Sequence, residues 1–149
     1  VRFGNVFGSA GSVVNLFLDK INNGENVQIT NKKVERFFMS INEACNLVIS
    51  ASLIKKKFAT FVLEMGKPVK IYDLLKKIIK LKQKKDSNFS IKIEEIGLQK
   101  GEKLGRLKSW LHTIQIERDL YDISQIEKVL STLSWNNSDF KNWPELKFP

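Results

Sequence analysis

The hydrophobic pattern changes period several times along the chain. Arg2-Phe3-Gly4-Asn5-Val6 is a short, apolar-leaning run closed by a glycine-rich segment, which suits a buried strand. Gly8-Ser9-Ala10-Gly11-Ser12 follows as a loop of small residues. Val13, Val14, Leu16, Phe17 and Ile21 then recur at helical spacing until Asn23 and Gly24 supply a stop. Val27 to Thr30 alternates as a strand does, and Arg36 to Ile41 is a second apolar run. Ser40 and Glu43 have the spacing of a capping box, in which each side chain satisfies an orphan backbone N–H of the helix start. Ala44, Leu47, Val48 and Ala51 predict one buried stripe on that helix, with Cys45 beside it as a further core residue.

After the Lys55-Lys56-Lys57 loop, Thr60 to Met65 reads as a strand closed by Gly66. Pro68 precedes a helix with Ile71, Leu74, Leu75, Ile78 and Leu81 on one face and Lys76, Lys77, Lys80 and Lys84 on the other. Ser90 to Ile96 alternates isoleucine with charge, the pattern of a half-exposed strand. From Gly97 onward the pattern predicts a glycine-punctuated loop, a helix over Ile123–Leu133 and a tail rich in Trp and Asn. Strands alternating with helices predict an α/β arrangement with a mixed sheet, and no internal repeat is visible.

A length of 149 residues suits one domain, and no apolar run reaches the roughly 18 residues of a membrane span. The lone Cys45 excludes an internal disulfide, and with the lone His112 it leaves no Cys/His set for zinc. The net charge of +9 is localised. Between Lys55 and Lys85 eleven lysines face two acids, Glu64 and Asp73, while fourteen basic residues balance fourteen acidic ones elsewhere. This window reads either as a solvated lysine face or as a surface for an anionic partner, nucleic acid or an acidic protein. No aromatic stacking platform accompanies the lysines, so sequence-specific reading of nucleic acid is not expected. The chain opens on Val1 rather than methionine, and is expected to lack its beginning.

Two motifs resemble catalytic signatures. Gly4-x-x-x-Gly8-x-x-Gly11 lies between a strand and a helix, where a dinucleotide loop would sit. That reading wants an acid roughly 20 residues on, and here Thr30-Asn31-Lys32-Lys33 stand in that neighbourhood. An anion near Gly11 and Ser12, or a tight turn that needs small residues, both remain open. Tyr72 and Lys76 share a helix face at the spacing of a short-chain dehydrogenase dyad, but a lysine-rich helix meets that pattern by chance. His112 has no acid or nucleophile at a suggestive spacing and reads as a surface or partly packed residue.

Four collinear blocks resemble a known family. Arg2-Phe3-Gly4-Asn5-Val6-Phe7-Gly8-Ser9-Ala10-Gly11-Ser12-Val13 is similar to its R-Y-G-N-V-x-G-S-x-G-S-V segment. Val27 to Thr30, followed by Glu35 to Ala44, resembles V-T-I-T … T-R-F-F-M-T-I-x-E-A. Phe61 to Leu74 resembles F-V-L-D-M-G-E-P-V-K-I-x-D-L, and Gly97 to Leu104 resembles G-L-R-P-G-E-K-L. The family is the CapD-like polysaccharide-biosynthesis branch of the extended short-chain dehydrogenases/reductases, which includes UDP-N-acetylglucosamine 4,6-dehydratases and related epimerases.

The resemblance implies a Rossmann-like α/β protein of which residues 1–104 form the C-terminal, substrate-binding part and residues 105–149 a divergent helical extension. It places Asn5 near a nucleotide-sugar diphosphate, Arg36 in a pair with that diphosphate and Glu102 on the ribose hydroxyls. The stretch from Ser12 to Thr30, with Gly11 at its start, would close over the uridine. The family's arginine and proline are replaced by Gln99 and Lys100, so Lys100 is the residue left to bring a mobile charge. Asn15 stands where the family has a turn proline. The parent reaction would oxidise a UDP-sugar at C4 through NAD(P), eliminate water across C5–C6 and return the hydride. The cofactor loop and catalytic Tyr and Lys precede these blocks in the family, so this chain is expected to bind no cofactor, to be inactive alone and to be cytoplasmic. A sheet cut from its missing Rossmann half would present an unpaired edge and favour self-association.

Overall fold

The computed structural model describes residues 1–56, 59–105, 112–114 and 131. The order of elements is β1 (Asn5–Val6), α1 (Val13–Asn22), β2 (Val27–Ile29), β3 (Glu35–Arg36), β4 (Phe38–Met39), α2 (Ile41–Leu53), β5 (Phe61–Leu63), β6 (Val69–Lys70), α3 (Ile71–Lys85), β7 (Ile93–Glu95) and β8 (His112–Ile114). The α/β class follows the sequence pattern. The strands form four short ladders among the described residues. Three are parallel (β1 with β4, β2 with β7, β5 with β8) and one, β3 with β6, is antiparallel.

The segment from Arg2 through β1 ties two ladders together. Arg2 bridges Val62 in β5, its N–H donating to the Phe61 carbonyl at 2.8 Å. Farther on, Asn5 N–H donates to Phe37 O and Phe7 N–H to Met39 O, each at 2.8 Å. Gly4 sits between these contacts without room for a side chain. A Cβ there would lie 2.7 Å from the Phe37 carbonyl oxygen and 2.9 Å from Met65 Sδ.

Two apolar cores flank this seam. The larger gathers Phe7, Val14, Leu18 and Ile21 with Val27 and Leu74, Leu75 and Ile78 of α3. The smaller joins Met39, Ala44, Leu47, Leu63 and Met65. Lys82 Nζ donates to Asn22 Oδ1 at 3.3 Å across the ends of α1 and α3. The capping box of α2 is present, with Ser40 N–H donating to Glu43 Oε2 at 2.6 Å and Glu43 N–H to Ser40 Oγ at 3.0 Å.

The helical stripe of α2 is narrower than its sequence predicts. Ala44 and Leu47 are buried, whereas Cys45 is exposed and Val48 is 45% exposed. At 100° per residue, positions 45, 48 and 49 turn away from the side that 44 and 47 present to β5. The core reading of Cys45 is therefore overturned. β3, β6 and β8 were absent from the sequence pattern; the first two are two residues long, too short for any period to register. The helix expected over Ile123–Leu133 lies outside the described residues apart from Ser131, and Lys57 lies outside them too.

Gly4→Ala is expected to cost about 1–3 kcal/mol, the usual cost of forcing a group into filled space. A clear fall in the urea midpoint checks this; an unchanged midpoint would contradict the close approach.

Candidate functional site

Val34 and Phe37 enter the larger and smaller cores respectively, so β3 runs along the boundary between them. Glu35 and Arg36 are consequently left half-buried at the rim. Arg36 uses that position fully. Its Nη2 meets Glu102 Oε1 at 3.0 Å, and its Nη1 donates to the carbonyls of Glu35 and Lys103, each at 2.9 Å. A guanidinium offers several N–H donors in one rigid plane, so one side chain can hold a carboxylate and two main-chain oxygens at once.

Glu102 is placed by a tight turn. Its N–H donates to the Gln99 carbonyl at 2.9 Å, and Gly101 sits at φ 83°, the left-handed position a type II turn requires. The side chain folds back, and Oε2 accepts the Gln99 N–H at 3.3 Å. Thr30, just past the end of β2, donates its hydroxyl to Glu102 Oε1 at 3.0 Å. Glu35 N–H donates to the Leu104 carbonyl at 2.8 Å, a second tie between β3 and the loop. The Arg36 and Glu102 side chains are 27% and 19% exposed, so their attraction is less screened than that of a surface pair. A carboxylate has about four acceptor directions; Oε1 uses two, for Thr30 and Arg36, and Oε2 uses one for Gln99.

The pair forms one wall of a cavity of about 310 Å³. The rest of the lining comes from residues 3–5 and 35–37, with 101–103 and Gly105 opposite. Asn5, Arg36 and Glu102, three segments apart in sequence, thus face the same space. Thr30 reaches it only through Glu102. Gly11, Ser12 and Lys100 are not among the lining residues. Ser12 is occupied as the N-cap of α1, its Oγ accepting from Asn15 N–H at 3.4 Å. Asn15 Nδ2 donates to the Ser9 carbonyl at 3.2 Å, fastening the small-residue loop to the first turn of α1. Lys100 is exposed at a corner of the turn that positions Glu102.

The Tyr72–Lys76 spacing does not form a dyad aimed at the phenol. Lys76 Nζ lies 4.7 Å from the ring centroid and pairs with Asp73 Oδ1 at 3.0 Å. Among the described residues no group of three His, Cys, Asp or Glu side chains is arranged to hold a metal, and no helix is long and apolar enough to cross a membrane. Sequence reasoning missed the main-chain oxygens of Lys103 and Glu35 as ligands of Arg36, because backbone groups leave no compositional signal.

With this geometry in place, comparison with known proteins becomes informative. The sequence profile of a family described as "Polysaccharide biosynthesis protein" matches residues 1–126, past the four blocks that end at Leu104. The capsular polysaccharide biosynthesis protein CapD of Staphylococcus aureus is 44% identical over 124 residues, covering 81% of this chain and 20% of CapD. The probable polysaccharide biosynthesis protein EpsC of Bacillus subtilis is 45% identical over 104 residues, covering 70% of this chain and 17% of EpsC. A 50-residue stretch is 44% identical to the UDP-glucose 4-epimerase of Rickettsia canadensis, covering 34% of this chain and 15% of the epimerase. The X-ray structure of Pen from Bacillus thuringiensis superposes with a TM-score of 0.61 at 42% identity, over 69% of this chain and 31% of Pen. This chain therefore spans about a fifth of CapD.

Arg36→Leu would leave the Glu102 carboxylate without its countercharge, and a hydrogen bond to a charged group is worth about 1.5–3 kcal/mol. Hydrogen exchange at residues 99–104 should accelerate in this variant; protection equal to that of the unaltered protein would show that the pair does not hold the loop.

Proposed function

This chain belongs to the polysaccharide biosynthesis protein family, and from that premise we propose that it is the nucleotide-sugar-binding portion of an NAD(P)-dependent 4,6-dehydratase or epimerase, taking a UDP-N-acetylhexosamine. The observation that carries the reading is the convergence of Asn5, Arg36 and Glu102 on one cavity, with a cation and an acceptor side by side. Arg36 is the group to meet diphosphate oxygens, since its planar fork matches phosphate geometry. Glu102 is the acceptor for ribose hydroxyls, and Asn5 offers an uncharged amide beside the diphosphate. The likeness to UDP-glucose 4-epimerase over a third of the chain supports a UDP-linked sugar rather than another anion.

The described residues do not fit the dinucleotide itself. The Gly4 Cβ position is filled by Phe37 and Met65 rather than facing a phosphate cradle, and the residues that close β2 are Thr30, Asn31, Lys32 and Lys33 with no carboxylate among them. No hydride or proton step is therefore assigned to this chain. Its work is to bind and orient the nucleotide end of the substrate, while the cofactor and the general base belong to a Rossmann half in the rest of the protein. The length of CapD leaves ample room for such a half. We place the activity in the cytoplasm, where nucleotide sugars are made. The basic-module alternative is less well supported, because the lysine face of α3 is partly engaged. Lys76 pairs with Asp73, and Lys82 bonds Asn22 and lies 6.0 Å from the Phe89 ring centroid.

The reading predicts that UDP-N-acetylglucosamine raises the melting temperature of the folded chain, because a ligand at about 100 times its Kd adds roughly 2.7 kcal/mol. Arg36→Ala should remove most of that shift. A well-folded sample indifferent to every UDP-sugar up to millimolar concentration would contradict the proposal.

A further inference from the structure

We propose that the Arg36–Glu102 pair, positioned by Thr30, is a selectivity clasp that admits ligands carrying a diphosphate and a vicinal diol together and disfavours phosphate or pyrophosphate alone. The proposal rests on the nucleotide-sugar reading of the cavity and adds to it a reason for discrimination.

In the ligand-free chain the cation is already satisfied. Arg36 Nη2 holds Glu102 Oε1, and Nη1 holds the carbonyls of Glu35 and Lys103. An entering phosphate oxygen competes for Nη2, while the two bonds of Nη1 to main-chain oxygens keep the guanidinium in place. The exchange strips the partly buried Glu102 carboxylate of its countercharge. Pyrophosphate offers nothing in return, and adds further negative charge beside that carboxylate. A nucleoside diphosphate brings donors for it. One ribose hydroxyl can take the remaining acceptor direction on Oε2, and the second can take the direction on Oε1 that Arg36 vacates. Hydrogen bonds lost and gained then balance only for a ligand with both groups.

Thr30 acts through Glu102. Its hydroxyl is the donor that fixes Oε1 toward Arg36, from a strand the cavity does not include. Thr30 is thus a positioning residue, and removing its hydroxyl loosens the clasp in the same direction as neutralising Glu102.

The test measures binding of UDP and of inorganic pyrophosphate by calorimetry to the whole 149-residue chain, unaltered and as Glu102→Gln, Thr30→Val and Thr30→Ser. The clasp predicts that Glu102→Gln binds pyrophosphate about tenfold more tightly, a change of roughly one decade in Kd, while its preference for UDP over pyrophosphate collapses. Thr30→Val should shift the ratio the same way by a smaller factor, and Thr30→Ser should restore it; this pair carries the test should Glu102→Gln fail to fold. If the unaltered chain binds UDP but no variant gains pyrophosphate affinity, the clasp is overturned and the nucleotide reading stands. If the variants gain pyrophosphate affinity while the unaltered chain ignores UDP, the clasp stands and the nucleotide reading falls. If none of the four proteins binds either ligand, both are overturned.

Discussion

Three separate stretches of chain meet at one carboxylate. Glu102 collects the hydroxyl of Thr30, the guanidinium of Arg36 and the amide of Gln99, and thereby joins the end of β2, the strand β3 and the turn that follows β7. The short ladders around it contribute little hold of their own, since β3 and β6 share a two-residue pairing. An ion pair in such a place differs from one on the open surface, where measured contributions are about 0–1 kcal/mol. Here the two side chains are mostly shielded, each has further hydrogen-bond partners, and losing either leaves the other stranded. The cavity exists because this junction holds residues 101–103 opposite residues 3–5.

The same junction relates stability to function. Glu102 makes the loop, and on the reading developed above it also receives the ligand. A site built this way is complete only when its internal bonds are exchanged for ligand bonds of the same kind. Gly4 supports it from behind: its missing side chain lets β1 approach the Phe37 carbonyl and Met65, which sets Asn5 against the cavity.

Much of the secondary structure was legible in the sequence, and the reasons differ by element. α1 and α3 announce themselves by apolar residues at helical spacing, and Val14, Leu18, Ile21, Leu74, Leu75 and Ile78 are buried as that pattern requires. The capping box at Ser40 and Glu43 was readable because its chemistry is local. Cys45 was misread because adjacency in sequence to a buried stripe is not adjacency on the helix surface. β8 was missed because a three-residue strand paired with distant β5 has no period of its own to show. In the site, the charged partners Arg36 and Glu102 were visible through the family motifs, whereas the juxtaposition that makes them one unit depends on a contact 66 residues apart. Gly11, Ser12 and Lys100 came from the same motifs, yet they lie outside the cavity, where one caps a helix and another marks a turn. A motif carries residue types; the fold decides which of them share a space.

The most direct measurement of the central claim is a crystal structure of this chain grown with UDP-N-acetylglucosamine. The account predicts nucleotide density in the cavity between residues 3–5 and 101–103, with diphosphate oxygens against the Arg36 guanidinium and ribose hydroxyls against Glu102. Density for the nucleotide elsewhere on the surface, with Arg36 still closed on Glu102, would contradict it.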